Sequence, residues 1–226
     1  MVVYPGARAR QIAGPAIVLM HHRGGIDDFT TYVAGRLSAR GYVVAVPDLY
    51  QHCPETVPMS ERKALLRDSK IVSDVESVIA QLRSRADVAG DRIVVMGHCM
   101  GGRVALLAAG SLRGFCGVVV YYGGSVARSW GGGATPLGML RNIECPVIGF
   151  FGNEDRHPSP QDVDEMDAEL TRHGISHEFH RYPGVGHGFQ NPAHDSVAER
   201  AAAEDAWIRT FAFLARVAPV EESSRA

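Results

Sequence analysis

The chain has 226 residues, of which 46% are hydrophobic and 21% charged, so it can bury the core of one globular domain. A formal net charge of −2 at pH 7 excludes the broadly basic surface of a nucleic-acid-binding protein and any strong attraction to anionic membranes. The N-terminal segment lacks a signal-peptide pattern, and the apolar run at 16–20 is too short to span a bilayer, so we expect a cytoplasmic protein.

Short apolar runs alternate with longer amphipathic segments along the chain. Six runs, most of them rich in β-branched or aromatic residues, predict strands covered on both faces, at 16–20, 42–46, 92–96, 118–122, 147–151 and 177–182. Helices are predicted at 29–40, 60–85, 100–109, 160–173 and 196–217. This alternation predicts an α/β fold with a doubly wound, mostly parallel sheet and helices on both faces. We expect a single domain over 1–226, with a frayed tail at 218–226.

Glycines and caps mark the predicted helix boundaries. Ser159 followed by Pro160 is typical of a helix start, and Asp162 would lie in the first turn. The predicted helix ends carry glycines that can adopt a left-handed cap conformation, at 41, 90, 110 and 174.

The segment 123–140 is the least regular part of the chain. Its glycines at 131–133 indicate a loop, because neither a G-K-[ST] ending nor a strand–GxGxxG–helix context for binding phosphate is present. Two interpretations stay open, a plain surface loop and a lid over an active site.

The four cysteines, at 53, 99, 116 and 145, show no C-x-x-C pair or other spacing typical of zinc. We therefore expect no metal site. A core of this size needs no disulfides, which fits reduced thiols in a cytoplasm.

The motif Gly97-His98-Cys99-Met100-Gly101-Gly102 follows the predicted strand 92–96 and begins a predicted helix. Its spacing is that of a G-x-nucleophile-x-G elbow, with cysteine in the place of serine. Glycines are needed there because side chains would collide with the neighbouring strand or helix. The helix N-terminus beyond Cys99 would favour a thiolate and a bound oxyanion. The alternative is a chance match with an inert, buried Cys99, which the flanking strand and helix disfavour.

Two later segments could supply the partners of a cysteine nucleophile, in the order acid and then histidine. Glu154 and Asp155 both follow the predicted strand 147–151, at the carboxyl edge of the sheet. His187 lies in a glycine-rich segment after the last predicted strand, and such a loop can bring an imidazole across to the elbow.

The loop after the first predicted strand reads HHRGG at 21–25. An elbow fold supplies its second oxyanion-hole N–H from this loop, so the backbone of His22 or Arg23 is the candidate, together with the backbone of Met100. Adjacent histidines without a third ligand do not indicate a metal site.

Three side chains near these loops are candidates for binding substrate: His21, Arg23 and Phe189. The guanidinium of Arg23 could hold a substrate carboxylate in a bidentate pair. Otherwise its side chain points into solvent or pairs with Asp27 or Asp28.

Together these motifs resemble the dienelactone hydrolase family, also called carboxymethylenebutenolidases, within the α/β-hydrolase superfamily. The matching segments span nearly the whole chain, at 41–50 (GYVVAVPDLY), 97–102, 152–155, 182–189 (YPGVGHGF) and 202–207. The resemblance implies a triad of Cys99, His187 and Asp155, with Asp155 preferred to Glu154. It also implies hydrolysis of a small ester or lactone through a thioester acyl-enzyme, without a cofactor.

The sequence departs from that family's pattern in two places. Dienelactone-cleaving members have a glutamate in the loop after the first core strand, whereas here no acid occurs before Asp27. They also have an arginine shortly after the HGF segment, whereas Asn191 stands near that place and the next arginine is Arg200. The expected partner is therefore a small-molecule ester or lactone, with dienelactone itself left open.

Two other functions stay open. One is an esterase, thioesterase or peptidase-like hydrolase with another substrate class, although the absence of serine at the elbow counts against a serine hydrolase. The other is a hydrolase fold that binds a ligand without catalysis, which the altered loop at 21–25 favours and the complete triad opposes. No pattern indicates an oligomeric state.

Overall fold

The structure of the chain is a computed structural model that describes residues 1–6 and 13–221. Seven strands form one sheet in the order β1-β3-β2-β4-β5-β6-β7. Their bounds are β1 Val2–Tyr4, β2 Gly14–Met20, β3 Val43–Val46, β4 Val88–His98, β5 Phe115–Tyr121, β6 Val147–Gly152 and β7 His177–Tyr182. β1 pairs antiparallel to β3, and the other five pairings are parallel. The predicted mostly parallel sheet is confirmed, with β1 as an added edge strand of three residues.

Seven α-helices cover the sheet within the described residues: α1 Asp28–Ala39, α2 Met59–Arg62, α3 Asp68–Arg83, α4 Met100–Ser111, α5 Pro136–Met139, α6 Pro160–Arg172 and α7 Val197–Val217. Short 3-10 turns follow α2 at Lys63–Leu65 and α5 at Leu140–Asn142. Alternate residues of the fully buried β2 point to opposite faces, so Val18 belongs to the buried cluster that includes residues of α3, α4 and α6, whereas Leu19 belongs to the cluster that includes residues of α1 and α7. The predicted helices on both faces are therefore confirmed.

The single helix predicted at 60–85 is wrong, because the chain extends at Leu66 and Arg67 between α2 and α3. The cause is the start of α3, where the backbone N–H of Asp68 donates to the carbonyl of Trp130 at 2.7 Å and its carboxylate binds Arg103. Sequence periodicity does not reveal such an anchor, since it is a long-range contact.

Two of the four predicted helix-ending glycines are also wrong. Gly90 lies inside β4 and Gly110 inside α4, where a Cβ atom would contact the backbone of Met139. Gly41 and Gly174 do follow α1 and α6 with φ of +92° and +66°. The Ser159–Asp162 capping box at the start of α6 is present, as its sequence indicated.

The predicted frayed tail at 218–226 needs a later start. Ala218 is fully buried, and Glu221 pairs with Arg92 at 2.9 Å, so the chain is held through Glu221. The remainder of that prediction, at 222–226, lies outside the described residues. None of the described helices is long and apolar enough to cross a membrane.

Candidate active site

Cys99 occupies a sharp turn between β4 and α4 with φ 53° and ψ −118°, a strained conformation for a residue other than glycine. Its backbone N–H donates to the carbonyl of Tyr121 at 2.9 Å, which ties the turn to β5. The half-buried thiol therefore stands at the carboxyl end of the central strand, directly before the first N–H groups of a helix.

Close packing explains the glycines on both sides of the turn. A Cβ atom at Gly97 would collide with the backbone of Gly101, and one at Gly101 would collide with the carbonyl of Met20. Only glycine fits at these two positions, because the elbow, the helix and β2 approach each other at van der Waals distance. The structure has the strand–turn–helix geometry that the motif predicted.

His187 and Asp155 come to the same sheet edge from loops after β7 and β6. Nδ1 of His187 lies 2.6 Å from Oδ2 of Asp155, and the imidazole also hydrogen-bonds to the thiol of Cys99. Asp155 is 6% exposed, and its other oxygen accepts the backbone N–H of His157 at 2.8 Å. Glu154, the rival acid, is exposed, and His187 pairs with Asp155 and not with Glu154. The structure therefore brings together the three residues proposed as a triad.

The ionisation of the Cys99–His187 pair is shifted in opposite directions. Burial raises the pKa of the Cys99 thiol, but the hydrogen bond and charge of His187 and the backbone N–H of Met100 lower it below its ordinary value overall. Burial lowers the pKa of His187, but the hydrogen bonds to Asp155 and Cys99 outweigh this and raise it to about 10. Both shifts favour a thiolate paired with an imidazolium at neutral pH.

An open cavity of about 450 Å³, the inner chamber, lies above the thiol. We call its base the catalytic floor, which comprises Cys99, Met100, Tyr122, Asp155 and His187. Tyr122 packs edge-on against the imidazole with ring centroids 4.9 Å apart. Burial raises the pKa of Tyr122 well above its ordinary value, so the phenol on this part of the catalytic floor is uncharged.

The residues predicted for the oxyanion hole and the substrate are only partly brought together. Met100 and Arg23 line the inner chamber, and Nη2 of Arg23 donates to the carbonyl of Ser60 at 2.9 Å. Arg23 therefore pairs with neither Asp27 nor Asp28. The ring of His22 lies 2.7 Å from the carboxylate of Asp27 at the start of α1 and does not line the inner chamber, while the proposed role of its backbone N–H stays a prediction.

Two predicted substrate residues lie away from the inner chamber and need correction. His21 is 1% exposed, its Nδ1 donates to the carbonyl of His22, and its Nε2 accepts the N–H of Leu49, so it joins two loops. Phe189 is 1% exposed and packs against Tyr122 behind the floor. Both positions are adjacent in sequence to site loops, but their side chains turn into the protein.

A buried polar contact that the sequence did not reveal joins the elbow to the histidine loop. His98 is stacked on Tyr121 at 4.5 Å, and its Nε2 lies 2.5 Å from Oε1 of Gln190. Burial lowers the pKa of His98 to about 3, so its ring is neutral. Because Gln190 follows His187 by three residues, this contact fixes the base loop to the residue before the nucleophile.

The wall beside the floor is formed by segment 123–140, which the sequence left open between a surface loop and a lid. Gly124, Ser125 and Trp130 line the inner chamber. The wall is held by the buried Arg103, which binds both oxygens of Asp68 at 2.8 and 2.9 Å and stacks on the Trp130 ring at 3.6 Å. Part of this segment is therefore a fixed wall of the cavity.

Above the floor, exposed or half-buried cations surround the opening. We call Arg23, Lys63, Arg67, Arg128 and Arg156 the cationic rim. Sequence reasoning missed all but Arg23, since isolated basic residues in loops give no periodic signal. Among residues 1–6 and 13–221, no group of three His, Cys, Asp or Glu side chains is arranged to hold a metal ion.

Comparisons with known proteins place this site in context. The model of the dienelactone hydrolase family matches residues 2–218. The chain is 27% identical over 228 residues to a carboxymethylenebutenolidase of Rhodococcus opacus, covering 95% of this chain and 86% of the relative.

Solved structures show the same fold at lower sequence identity. A dienelactone hydrolase-like protein of Klebsiella pneumoniae subsp. pneumoniae aligns with a TM-score of 0.84 at 21% identity, covering 93% of this chain and 90% of the other. A dienelactone hydrolase-like promiscuous phosphotriesterase from metagenomic libraries aligns with a TM-score of 0.76 at 15% identity, covering 94% and 90%.

Proposed function

Because the chain belongs to the dienelactone hydrolase family, we propose that it hydrolyses small esters or lactones through a thioester formed on Cys99. The family makes it a carboxylic ester hydrolase. The cysteine mechanism rests on one observation, the arrangement of the Cys99 thiol, the His187 imidazole and the buried Asp155 carboxylate on the catalytic floor. We infer that these three groups act as nucleophile, proton donor and orienting acid.

Acylation begins with attack of the Cys99 thiolate on the carbonyl carbon of the substrate. The carbonyl oxygen becomes an oxyanion, which we place near the backbone N–H of Met100 and the loop that carries Arg23. When the tetrahedral intermediate collapses, the C–O bond breaks and the imidazolium of His187 donates its proton to the leaving oxygen. A thioester on Cys99 remains, and a lactone's alcohol stays attached to the acyl group.

Deacylation uses the same histidine as a base. Acylation removes the thiolate that helps to raise the pKa of His187, so neutral imidazole becomes easier to form. His187 then takes a proton from water, and the resulting hydroxide attacks the thioester carbonyl. The C–S bond breaks, the acid leaves, and the thiolate and imidazolium are restored, with Asp155 holding the ring through Nδ1.

The inner chamber suits a small substrate. Its volume of about 450 Å³ is typical of small-molecule sites. The glutamate and arginine that dienelactone-cleaving relatives use have no substitute in the inner chamber, since Asp27 pairs with His22 and Arg200 lines a separate groove. We therefore propose the ester or lactone class and leave the choice of lactone to experiment.

Turnover of p-nitrophenyl acetate by the wild-type chain and by Cys99→Ala tests this proposal. We expect turnover by the wild type and a loss on the order of 10³-fold or more in Cys99→Ala, because the triad acts as a unit. Cys53→Ala is the matched control, since Cys53 is half-buried outside the inner chamber. Activity that survives in Cys99→Ala would contradict the cysteine mechanism. A screen of lactones with the wild-type chain is a separate experiment that narrows the choice of substrate.

A further inference from the structure

The inner chamber continues into a second cavity of about 800 Å³, which we call the outer chamber. The two cavities share the lining residues Arg23, Lys63, Ser125 and Trp130, so they adjoin at these side chains. Residues from α2 to the start of α3 and the segment around Trp130 form its sides. The combined space is larger than a single five-membered lactone ring requires.

The charge around this space is strongly positive, although the whole chain has a formal charge of −2. Arg103 is neutralised by Asp68, and Asp155 is paired with His187. Apart from these pairs, the two chambers are lined by the five cations of the cationic rim and by two carboxylates, those of Glu61 and Glu154.

The rim cations have no acidic partner among the described residues. Arg23 and Arg67 donate to backbone carbonyls, and Lys63 lies 5.5 Å from the centre of the Trp130 ring. The side chains of Arg128 and Arg156 make no hydrogen bond, ion pair or ring contact within the described part of the chain. Unpaired cations that converge on one cleft raise the local concentration of anions.

The surface between the cations is also preorganised. One face of Trp130 is covered by the guanidinium of Arg103, and its backbone N–H donates to Asp68 at 2.8 Å. The ring is therefore held by a buried ion pair, while it lines both chambers. A rigid aromatic wall beside unpaired arginines suits a planar or apolar spacer that ends in an anion.

We propose that the outer chamber binds an anionic group of the substrate, a carboxylate or a phosphate, remote from the reacting carbonyl and recognised by Arg67 and Arg128. This site is distinct from a carboxylate at Arg23, which lies next to the floor. The inference rests on the proposed function, because it concerns the substrate of the same hydrolysis. It assigns to this enzyme esters that are longer than simple lactones and carry a terminal negative charge.

Matched pairs of esters test this inference. With the charge on the alcohol side, 4-acetoxybenzoate and 4-acetoxyphenyl phosphate are compared with neutral 4-acetoxybenzamide. With the charge on the acyl side, the mono-4-nitrophenyl ester of adipic acid is compared with its methyl ester. In at least one series we expect kcat/KM to be about tenfold higher for the anionic ester than for the neutral one. This factor is at the low end of what a charge-assisted hydrogen bond contributes, because the rim is exposed to solvent. The benzoate and phosphate arms show which anion is preferred.

Three variants locate the residues that cause this preference: Arg128→Met, Arg128→Lys and the double variant Arg67→Met/Arg128→Met. In each, kcat/KM for the anionic ester is divided by kcat/KM for the neutral ester. The anionic-to-neutral ratio should fall towards one in the double variant, stay near the wild-type value in Arg128→Lys, and decrease with added salt. Arg113→Met is the control, since Arg113 is exposed and pairs with Glu144 outside both chambers. Normalising to the neutral ester in each variant removes any general loss of folded enzyme.

The outcomes separate the two proposals. A wild type that hydrolyses neutral and anionic esters equally, or a ratio that survives in the double variant, would overturn the outer-chamber site and leave the cysteine hydrolase intact. A wild type that hydrolyses none of these esters would overturn both.

Discussion

The catalytic floor and the cationic rim share one opening but are built in opposite ways. On the floor, the half-buried thiol of Cys99 and the buried carboxylate of Asp155 are fixed by strand ends, packed glycines and hydrogen bonds of 2.6–2.9 Å. On the rim, Arg128 and Arg156 are exposed and have no acidic partner within the described residues. The floor is thus a preorganised arrangement of buried and half-buried charges, whereas the rim is a set of mostly exposed ones.

This difference assigns the hydrolysis itself to the floor and the choice among substrates to the rim. Charges in a low-dielectric site interact strongly and need no reorganisation, so a change on the floor should slow the hydrolysis of every ester. Solvated charges are screened and contribute less, so a change on the rim should alter the preference among esters. Variants of each region therefore test whether the floor and the rim have these separate roles.

The largest effect is expected on the floor at the proposed base. His187→Ala should lower kcat by a factor on the order of 10³ or more on neutral and anionic esters alike, as for triads that act as a unit. His173→Ala is a matched control, because His173 caps α6 and, among the described residues, its side chain hydrogen-bonds to Glu169 alone. Steady-state kinetics on both ester classes measure this, and a loss confined to anionic esters would place His187 with the rim in function.

A smaller loss is expected at the acid. The loss of kcat in Asp155→Asn should be roughly ten- to hundredfold smaller than in His187→Ala, because the ring loses the partner that orients it while the base stays in place. Glu154→Gln should have little effect, since Glu154 is exposed and not bound to His187. If Glu154→Gln proved the more damaging change, Asp155 would not be the acid.

The pH profile of kcat/KM gives Asp155 a second readout. Activity needs the Cys99 thiolate, so it should rise with pH through a pKa below the ordinary value of 9.0, and it needs the imidazolium, so it should fall with pH through a pKa near 10. Asp155→Asn removes the hydrogen bond and charge that raise the pKa of His187, so the falling limb should move to lower pH. A falling limb that stays in place would show that the carboxylate does not support the ion pair.

A still smaller and more selective effect is expected at Arg23, where floor and rim meet. Arg23→Met should raise KM for esters with a carboxylate near the reacting carbonyl by roughly ten- to hundredfold, since a charge-assisted bond contributes about 1.5–3 kcal/mol. The effect on p-nitrophenyl acetate should be much smaller, because this ester has no charge to lose. An equal loss on both would show that Arg23 acts by bracing the loop through its bond to the Ser60 carbonyl.

The same contrast decides how much the sequence could predict. The residues of the floor were predictable because their constraints are local and chemical. The glycines around Cys99 and the position of His187 in a loop after the last strand can both be read from the amino-acid sequence. The parallel sheet was predictable for the same reason, since its strands are continuous apolar runs. The choice of Asp155 over Glu154 needed a family resemblance, because adjacent acids have equivalent spacing.

The predictions that were wrong or missing depend on side-chain direction and on long-range contacts. His21 and Phe189 adjoin site loops in sequence but turn into the core, which spacing cannot show. The break before α3 follows from the buried pair of Asp68 with Arg103, residues 35 apart along the chain. The cations of the rim converge from separate loops and only the folded chain brings them together.

A thiolate nucleophile at Cys99 is tested most directly by the rate at which each cysteine reacts with iodoacetamide at neutral pH. Burial raises the pKa of Cys53, that of Cys116 to about 11 and that of Cys145 to about 12, whereas the pKa of Cys99 is lowered by His187 despite its burial. Because only the thiolate reacts, peptide mass mapping after brief labelling should find the label first on Cys99, and His187→Ala should slow it. Label that appears first on Cys53, or a Cys99 rate unchanged in His187→Ala, would contradict a thiolate nucleophile at the floor.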